Sequence, residues 1–297
     1  MGNKLGKGLA QVVQRAKYAA IVVIGAAALV QTASAQVVDT KHNLSATAPG
    51  ANTPGSTRVN YMTGDGATTQ VCVFCHTPHG AASAEAPLWQ RTLATATSYS
   101  TYGSVNASTS MDAEQGAGVS VGSISLACLS CHDGTQAMNT MSNTPGSGNL
   151  ATGKAAGDWA ANGRNTDGKL TGIANLLGDN KSLQNDHPIG IRYAGGFTYS
   201  SSATTVANTA FADKEFRTVN QASINSAPVW FVEPKSGASA NSARDKNDIQ
   251  LYTRTIAAGN YQPYVECASC HDPHSSAELF MRVPVAGSEI CLTCHIK

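Results

Sequence analysis

Cys72-Val73-Phe74-Cys75-His76-Thr77-Pro78-His79 and Cys267-Ala268-Ser269-Cys270-His271-Asp272-Pro273-His274 repeat one pattern: two cysteines spaced by two residues, then His, a variable residue, Pro and a second His. The first half of the pattern recurs at Cys128-Leu129-Ser130-Cys131-His132 and at Cys291-Leu292-Thr293-Cys294-His295. The chain of 297 residues holds 8 cysteines, and these four units use every one of them. An even cysteine count can mark a disulfide framework, but the shared spacing and the His that closes each unit argue against it. A redox dithiol does not need that His, and zinc ribbons seldom carry one after each pair.

The chemistry that does require these residues is covalent haem attachment. Two thiols add across the two vinyl groups of one haem, and a two-residue spacer on a helical turn sets their separation. The next His lies on the same side and binds the iron. The units therefore predict four haem c groups held by Cys72, Cys75, Cys128, Cys131, Cys267, Cys270, Cys291 and Cys294. His76, His132, His271 and His295 are the proximal ligands. Each iron needs a sixth ligand, and four of the 8 histidines remain: His42, His79, His187 and His274. The matched count predicts two histidines on every iron. Met62, Met138, Met141 and Met281 are the competing ligands, and they would raise the potential.

The proline before His79 and before His274 redirects the chain. Neither His can reach the far face of its own haem, so each is expected to cap a neighbour. The reading assigns His79 to the His132 haem and His274 to the His295 haem. His187, in Asn185-Asp186-His187-Pro188, then caps the haem of His76 or His271. His42 precedes every attachment unit, on an arm that folds back on its own chain or reaches into another copy.

Residues 1–35 read as an export signal. Lys4, Lys7, Arg15 and Lys17 form a basic leader, Tyr18 to Val30 is apolar, and Ala33-Ser34-Ala35 offers a small-residue cleavage site. Thirteen apolar residues are too few to span a bilayer. The expectation is a cleaved signal at 1–35, a tetrahaem domain at 36–297, and a location outside the cytoplasm, extracellular or periplasmic. The formal net charge of +1 argues against nucleic-acid binding. Losing residues 1–35 removes four bases and no acid, leaving 16 Lys and Arg against 19 Asp and Glu. Eight propionates would take that −3 to roughly −11 when ionised.

Only 13% of residues are charged and 6% aromatic, against about 25% charged in an average domain. Long helical periodicity is absent. The expected fold is mostly irregular and loop-rich, with short helices at the haem sites and a few short strands, wrapped around a haem chain. The strand candidates lie near Phe197–Tyr199, Pro228–Val232 and Ile249–Thr253, with one short helix around Leu170 to Leu177.

Thr40-Lys41-His42-Asn43-Leu44-Ser45, the Cys72–His79 unit followed by Ala86-Pro87-Leu88-Trp89, Asn185-Asp186-His187-Pro188, and Leu251-Tyr252 with Glu266-Cys267 to His274 carry a family resemblance. The chain resembles exported multihaem c-type cytochromes of metal-reducing bacteria, and more narrowly the extracellular tetrahaem cytochromes that polymerise into filaments. The likeness runs through the haem units, and the loops between them carry no matching signature. It implies electron transfer rather than catalysis, and a homopolymer with a continuous haem chain. In related filaments an N-terminal His of one subunit ligates a haem of the next, which by position is His42 here. Other cytochromes or external metal oxides are the implied acceptors, with no membrane-spanning segment in the mature chain. A soluble periplasmic tetrahaem shuttle shares this chemistry. A reductase of a small oxyanion would need an open iron position, which four spare histidines leave no room for.

Overall fold

The computed structural model describes residues 36–47, 68–81, 87–101, 120–138, 140–143, 168–172, 175–176, 182–184, 186–199, 203–224, 227–234, 244–257 and 260–296. Contacts divide the chain into Met1–Ala35 and Gln36–Lys297. The expected signal at 1–35, Met62 and Ala86 lie outside the described residues.

Six strands form one antiparallel sheet: β1 (Ile191–Arg192), β2 (Thr205–Val206), β3 (Val219–Ile224), β4 (Ala227–Val232), β5 (Ile249–Ala257) and β6 (Asn260–Val265), in the order β1-β6-β5-β4-β3-β2. The long strand β5 changes partner midway. Trp230 pairs with Leu251 and Val232 with Ile249 at its start, whereas Tyr252 pairs with Tyr264 and Thr253 with Pro263 further on. A register shift between Thr255 and Ala257 adds a bulge. Bulges bend a strand and raise its twist, and the sheet curls into a half-barrel.

This overturns the expectation of a mostly irregular, loop-rich fold. Two of the strand candidates fall in β4 and β5, but Phe197 makes only an isolated bridge to Phe211. No α-helix occupies the described part of 170–177; Lys169 instead bridges Ala137. The strands escape a local reading because β3 is Val-Asn-Gln-Ala-Ser-Ile and β6 carries Pro263, which cannot donate a ladder hydrogen bond. Their stability comes from cross-strand pairing and from a buried core. Tyr193, Val219 and Trp230 are fully buried there, with Val232, Ile249, Leu251 and Val283 packed around them. Cys294 of the fourth unit also packs against that core.

Three helical segments serve the cysteine units: α1 (Ser123–His132), the single turn α2 (Cys267–Cys270) and α3 (Glu289–Cys294). The first unit is a 3₁₀ turn, Cys72–Phe74. β6 runs directly into α2, so the sheet delivers the third unit. Two smaller clusters lie away from the sheet. One packs Leu44, Val73, Phe74, Met138, Met141 and Leu170 against Cys75 and Cys131, and the other packs α1 through Leu126 and Leu129.

Candidate haem-binding site

In three of the four units the backbone builds the same cradle. The His N–H returns to the first cysteine carbonyl: His76 to Cys72 at 2.9 Å, His271 to Cys267 at 3.1 Å, His295 to Cys291 at 2.9 Å. A second segment then runs antiparallel beside the His, making bridges His76–Trp89, His271–Met281 and His295–Phe216. That segment donates to the second cysteine carbonyl, from Gln90 to Cys75 at 2.9 Å, Arg282 to Cys270 at 2.9 Å and Arg217 to Cys294 at 2.8 Å. It accepts from the residue after the His: Thr77 gives to Leu88 at 2.9 Å, Asp272 to Phe280 at 2.8 Å, Ile296 to Glu215 at 2.6 Å. Leu88 and Phe280 occupy the same place in this pattern, and both have positive φ, 53° and 60°. That is a strained conformation for a side chain larger than Gly, held by the bonds on either side. The second unit differs, because α1 continues through His132 and Asp133 N–H bonds to Leu129 at 2.9 Å.

The cradles also set the imidazole tautomers. His76 Nδ1 lies 2.9 Å from the Pro87 carbonyl and His271 Nδ1 lies 2.7 Å from that of Leu279. A carbonyl only accepts, so Nδ1 carries the proton and the Nε2 lone pair is left for a metal. Metal-binding histidines are oriented in this way by carbonyl partners. His187 Nδ1 makes the same contact with Pro188 at 3.0 Å, and His42 Nδ1 with Pro273 at 3.4 Å.

Two pairs of histidines face each other. His76 and His274 have ring centroids 6.2 Å apart and planes 14° from parallel. His42 and His132 are also 6.2 Å apart, with planes at 67°. An imidazole nitrogen binds a metal at about 2.0 Å and sits about 1.1 Å from its ring centre, so two imidazoles on opposite sides of one ion have centroids about 6.2 Å apart. Each pair is thus spaced as two imidazoles that would hold one iron between them. Among the described residues no three or more His, Cys, Asp or Glu converge as a metal cluster; the histidines come as facing pairs.

His42 is half-buried. Its ring stacks on Phe280 at 4.1 Å. Burial, then the positive charge His132 would carry, holds its pKa down at about 4. A neutral imidazole is the form that ligates a metal.

The cysteines abut in chain order, and none is in a disulfide. Cys75 feels the charge of Cys131, and burial pushes its thiol up to about 12. Contact between Cys128 and Cys267 raises the first thiol and lowers the second, and the Cys128 thiol also lies in donating reach of the Ile124 carbonyl at 3.5 Å. Cys270 is pushed up to about 11 by burial and then by Cys267, with Cys291 also close. Cys294 is raised by burial and then by Cys270. First unit meets second, second meets third, third meets fourth.

Two buried charges lock these contacts. Glu266, 1% exposed, pairs with Arg254, accepts from Ser125 Oγ at 2.5 Å and from Gly122 N–H at 3.3 Å, while Ser125 Oγ accepts from Cys267 N–H at 3.0 Å. That knot joins α1 to α2. Any side chain at Gly122 would collide with Glu266 and Arg254. Arg91, fully buried, donates to the carbonyls of Ser130, Ala137, Met138 and Thr140, fixing the first unit against the second. Trp89 adds a bond from Nε1 to Ser130 Oγ at 3.3 Å and an edge contact on His76 at 5.8 Å.

The distal assignments read from sequence need correction. His274 faces His76 rather than His295, and His132 faces His42 rather than His79. Sequence proximity could not show that the Asp272-Pro273-His274 tip of one cradle approaches the first cradle and, through Pro273, the His42 arm. His79 is held by its carbonyl, which accepts from Thr77 Oγ1 and Asn143 Nδ2, both at 2.7 Å. Met138 and Met141 are core residues of the small cluster, and Met281 is the bridge partner of His271. Sequence reasoning quoted Glu266 without a role for it, and missed Phe280, Arg91 and the return segment Glu215-Phe216-Arg217, none of which carries a local signal.

The doubled CXXCH motif family matches residues 262–297, which hold the third and fourth units. The match supports a multihaem c-type cytochrome, and the CXXCH motifs indicate covalently bound haem c and suggest electron transfer. No curated protein matches the chain.

Proposed function

We propose that the chain carries four haem c groups, on Cys72 and Cys75, Cys128 and Cys131, Cys267 and Cys270, and Cys291 and Cys294, with each iron between two histidines. The observation that carries this reading is the pair of facing imidazoles, His76 with His274 and His42 with His132, each at the 6.2 Å spacing of two ligands on one ion. When bound, haem c supplies reversible one-electron exchange at iron. His76 with His274 and His42 with His132 would each hold an iron between two imidazoles, which would favour a lower potential than His/Met ligation and leave no position for substrate. On this reading the protein is a conduit and not an enzyme. The abutting cysteines bring successive attachment points together and support transfer along the chain.

The protein works outside the cytoplasm, after cleavage near Ala35, as the subunit of a conducting filament that passes electrons to other cytochromes or external metal oxides. The family resemblance and the basic, apolar, Ala-Ser-Ala leader support this. Among the described residues no helix is long and apolar enough to cross a membrane. The arm bearing His42 lies against His132, and exchange of that arm between copies reproduces the same pair across a subunit contact.

Intact mass of the secreted protein tests the haem count, with four haem additions and loss of residues 1–35 expected. Electron microscopy of the same fraction tests the assembly. Filaments are expected, and discrete particles alone would make the protein a soluble shuttle.

A further inference from the structure

We infer that Phe280 is a positioning residue for His42: the flat face of its ring sets the plane in which that imidazole meets the haem on Cys128 and Cys131. The third cradle thereby fixes a coordination geometry at an iron attached by the second unit. The inference rests on the reading above, in which His42 and His132 hold that iron.

The His42 and Phe280 rings lie 4.1 Å apart and 8° from parallel, stacked face to face. An imidazole bound to a metal through Nε2 still rotates about that bond. A parallel aromatic ring on one face opposes the rotation, because turning drives an edge of the imidazole into its neighbour and ends the stack. A second contact guides the same ring, as His42 Nδ1 lies 3.4 Å from the Pro273 carbonyl. Phe280 and Pro273 both belong to the third cradle. The 67° between the His42 and His132 planes is thus held from outside the second unit.

The Phe280 backbone is braced for this task. Its N–H donates to the Ala277 carbonyl at 2.9 Å, and its carbonyl accepts from Asp272 N–H at 2.8 Å. Leu279 and Phe280 have successive positive φ angles of 52° and 60°. Leu279 stands 61% exposed, whereas Phe280 is half-buried. Strained backbone of this kind persists only where the surroundings hold it, and it gathers at functional sites. The first cradle supplies an internal comparison. Its equivalent position is Leu88, with φ 53° and 54% exposed. The backbone design therefore accepts an aliphatic side chain there, and the position that meets His42 carries a flat ring instead.

The test compares oxidised holoproteins by intact mass and electron paramagnetic resonance, in which near-perpendicular axial imidazoles give a large-gmax feature. Phe280→Leu puts into the third cradle the residue that the first holds in the same conformation. It is expected to keep four haems, to lower and broaden the large-gmax feature, and to leave the rhombic signal of the His76 and His274 haem in place. Phe280→Tyr keeps the flat face and is expected to retain the wild-type feature. In a His42→Ala background Phe280→Leu is expected to change nothing further, because the ligand it acts through is gone. An unmoved feature in Phe280→Leu, an equal disturbance in Phe280→Tyr or of the rhombic signal, or a further change in the His42→Ala background overturns the inference. Absence of a large-gmax feature from the wild type overturns it as well. A wild-type mass with fewer than four haems contradicts the tetrahaem reading alone, since the readout of Phe280 needs only the haem on Cys128 and Cys131. If Phe280→Leu does not fold, Phe280→Met, which is larger but has no flat face, carries the same expectations.

Discussion

His76 and His274 come from opposite ends of the chain, yet their imidazoles face each other across 6.2 Å with planes 14° apart. His42 and His132 hold the same separation at 67°. The equal distance would suit one iron held between each pair, and the unequal angle would give the two sites different electronic character.

Parallel axial imidazoles separate the iron dxz and dyz orbitals of low-spin ferric haem, whereas near-perpendicular ones leave them almost degenerate. The haem of His76 and His274 is therefore expected to give a rhombic electron paramagnetic resonance spectrum, and that of His42 and His132 a single large-gmax feature. His274→Ala should remove the rhombic component and His42→Ala the large-gmax one. Loss of the same component in both variants would contradict these pairings.

Glu266 is the buried carboxylate that ties α1 to α2 through Gly122, Ser125 and Arg254. Glu266→Gln removes the charge paired with Arg254, which keeps its bond to the Ser120 carbonyl and its place over the Tyr264 ring. Breaking a buried pair costs about 3–5 kcal/mol, and the partial exposure of Arg254 brings the expected loss to about 2–3 kcal/mol. Chemical denaturation measures it. Because the knot sits where Cys128 meets Cys267, chains lacking the second or third haem should also rise in the mass spectrum of the variant.

Trp230 fills the centre of the sheet core, fully buried, and its Nε1 has no hydrogen-bond partner. Trp230→Ala is expected to cost about 3–5 kcal/mol. Trp230→Phe keeps most of the apolar contact and removes an unsatisfied donor, so it should cost less than half as much. Equal losses for the two would place the stabilisation elsewhere than in this packing.

Burial raises the Asp248 carboxyl from 3.8 to about 6. The folded protein keeps a proton there that the unfolded chain has released, so its contribution to stability is fully present below about pH 4 and is lost as pH rises through 6. Asp248→Asn preserves an acceptor for the Asp245 N–H, which donates to Asp248 at 2.7 Å. Between pH 4 and 7 the wild type should lose on the order of 5 °C in Tm relative to this variant. Parallel pH profiles would contradict the assignment.

The cysteine units and their proximal histidines are legible in sequence because attachment and ligation demand fixed residues at fixed local spacing. The sheet is not. Asn220, Gln221 and Ser223 break the apolar alternation of β3, Pro263 interrupts β6, and both strands are stabilised by partners far along the chain. The distal ligands are half legible: the spare histidines can be counted, but which faces which depends on how the Pro273 tip approaches the first cradle and the His42 arm. The fourth cradle shows the limit most clearly, since its return segment Glu215-Phe216-Arg217 lies far upstream of Cys291 and bears no mark of its partner.

Spin-quantified electron paramagnetic resonance of the oxidised secreted protein, set against its iron content, tests the central claim most directly. Two histidines on every iron predict four low-spin ferric haems per chain and no high-spin signal. A high-spin component approaching one iron per chain would contradict the account and expose an open metal position.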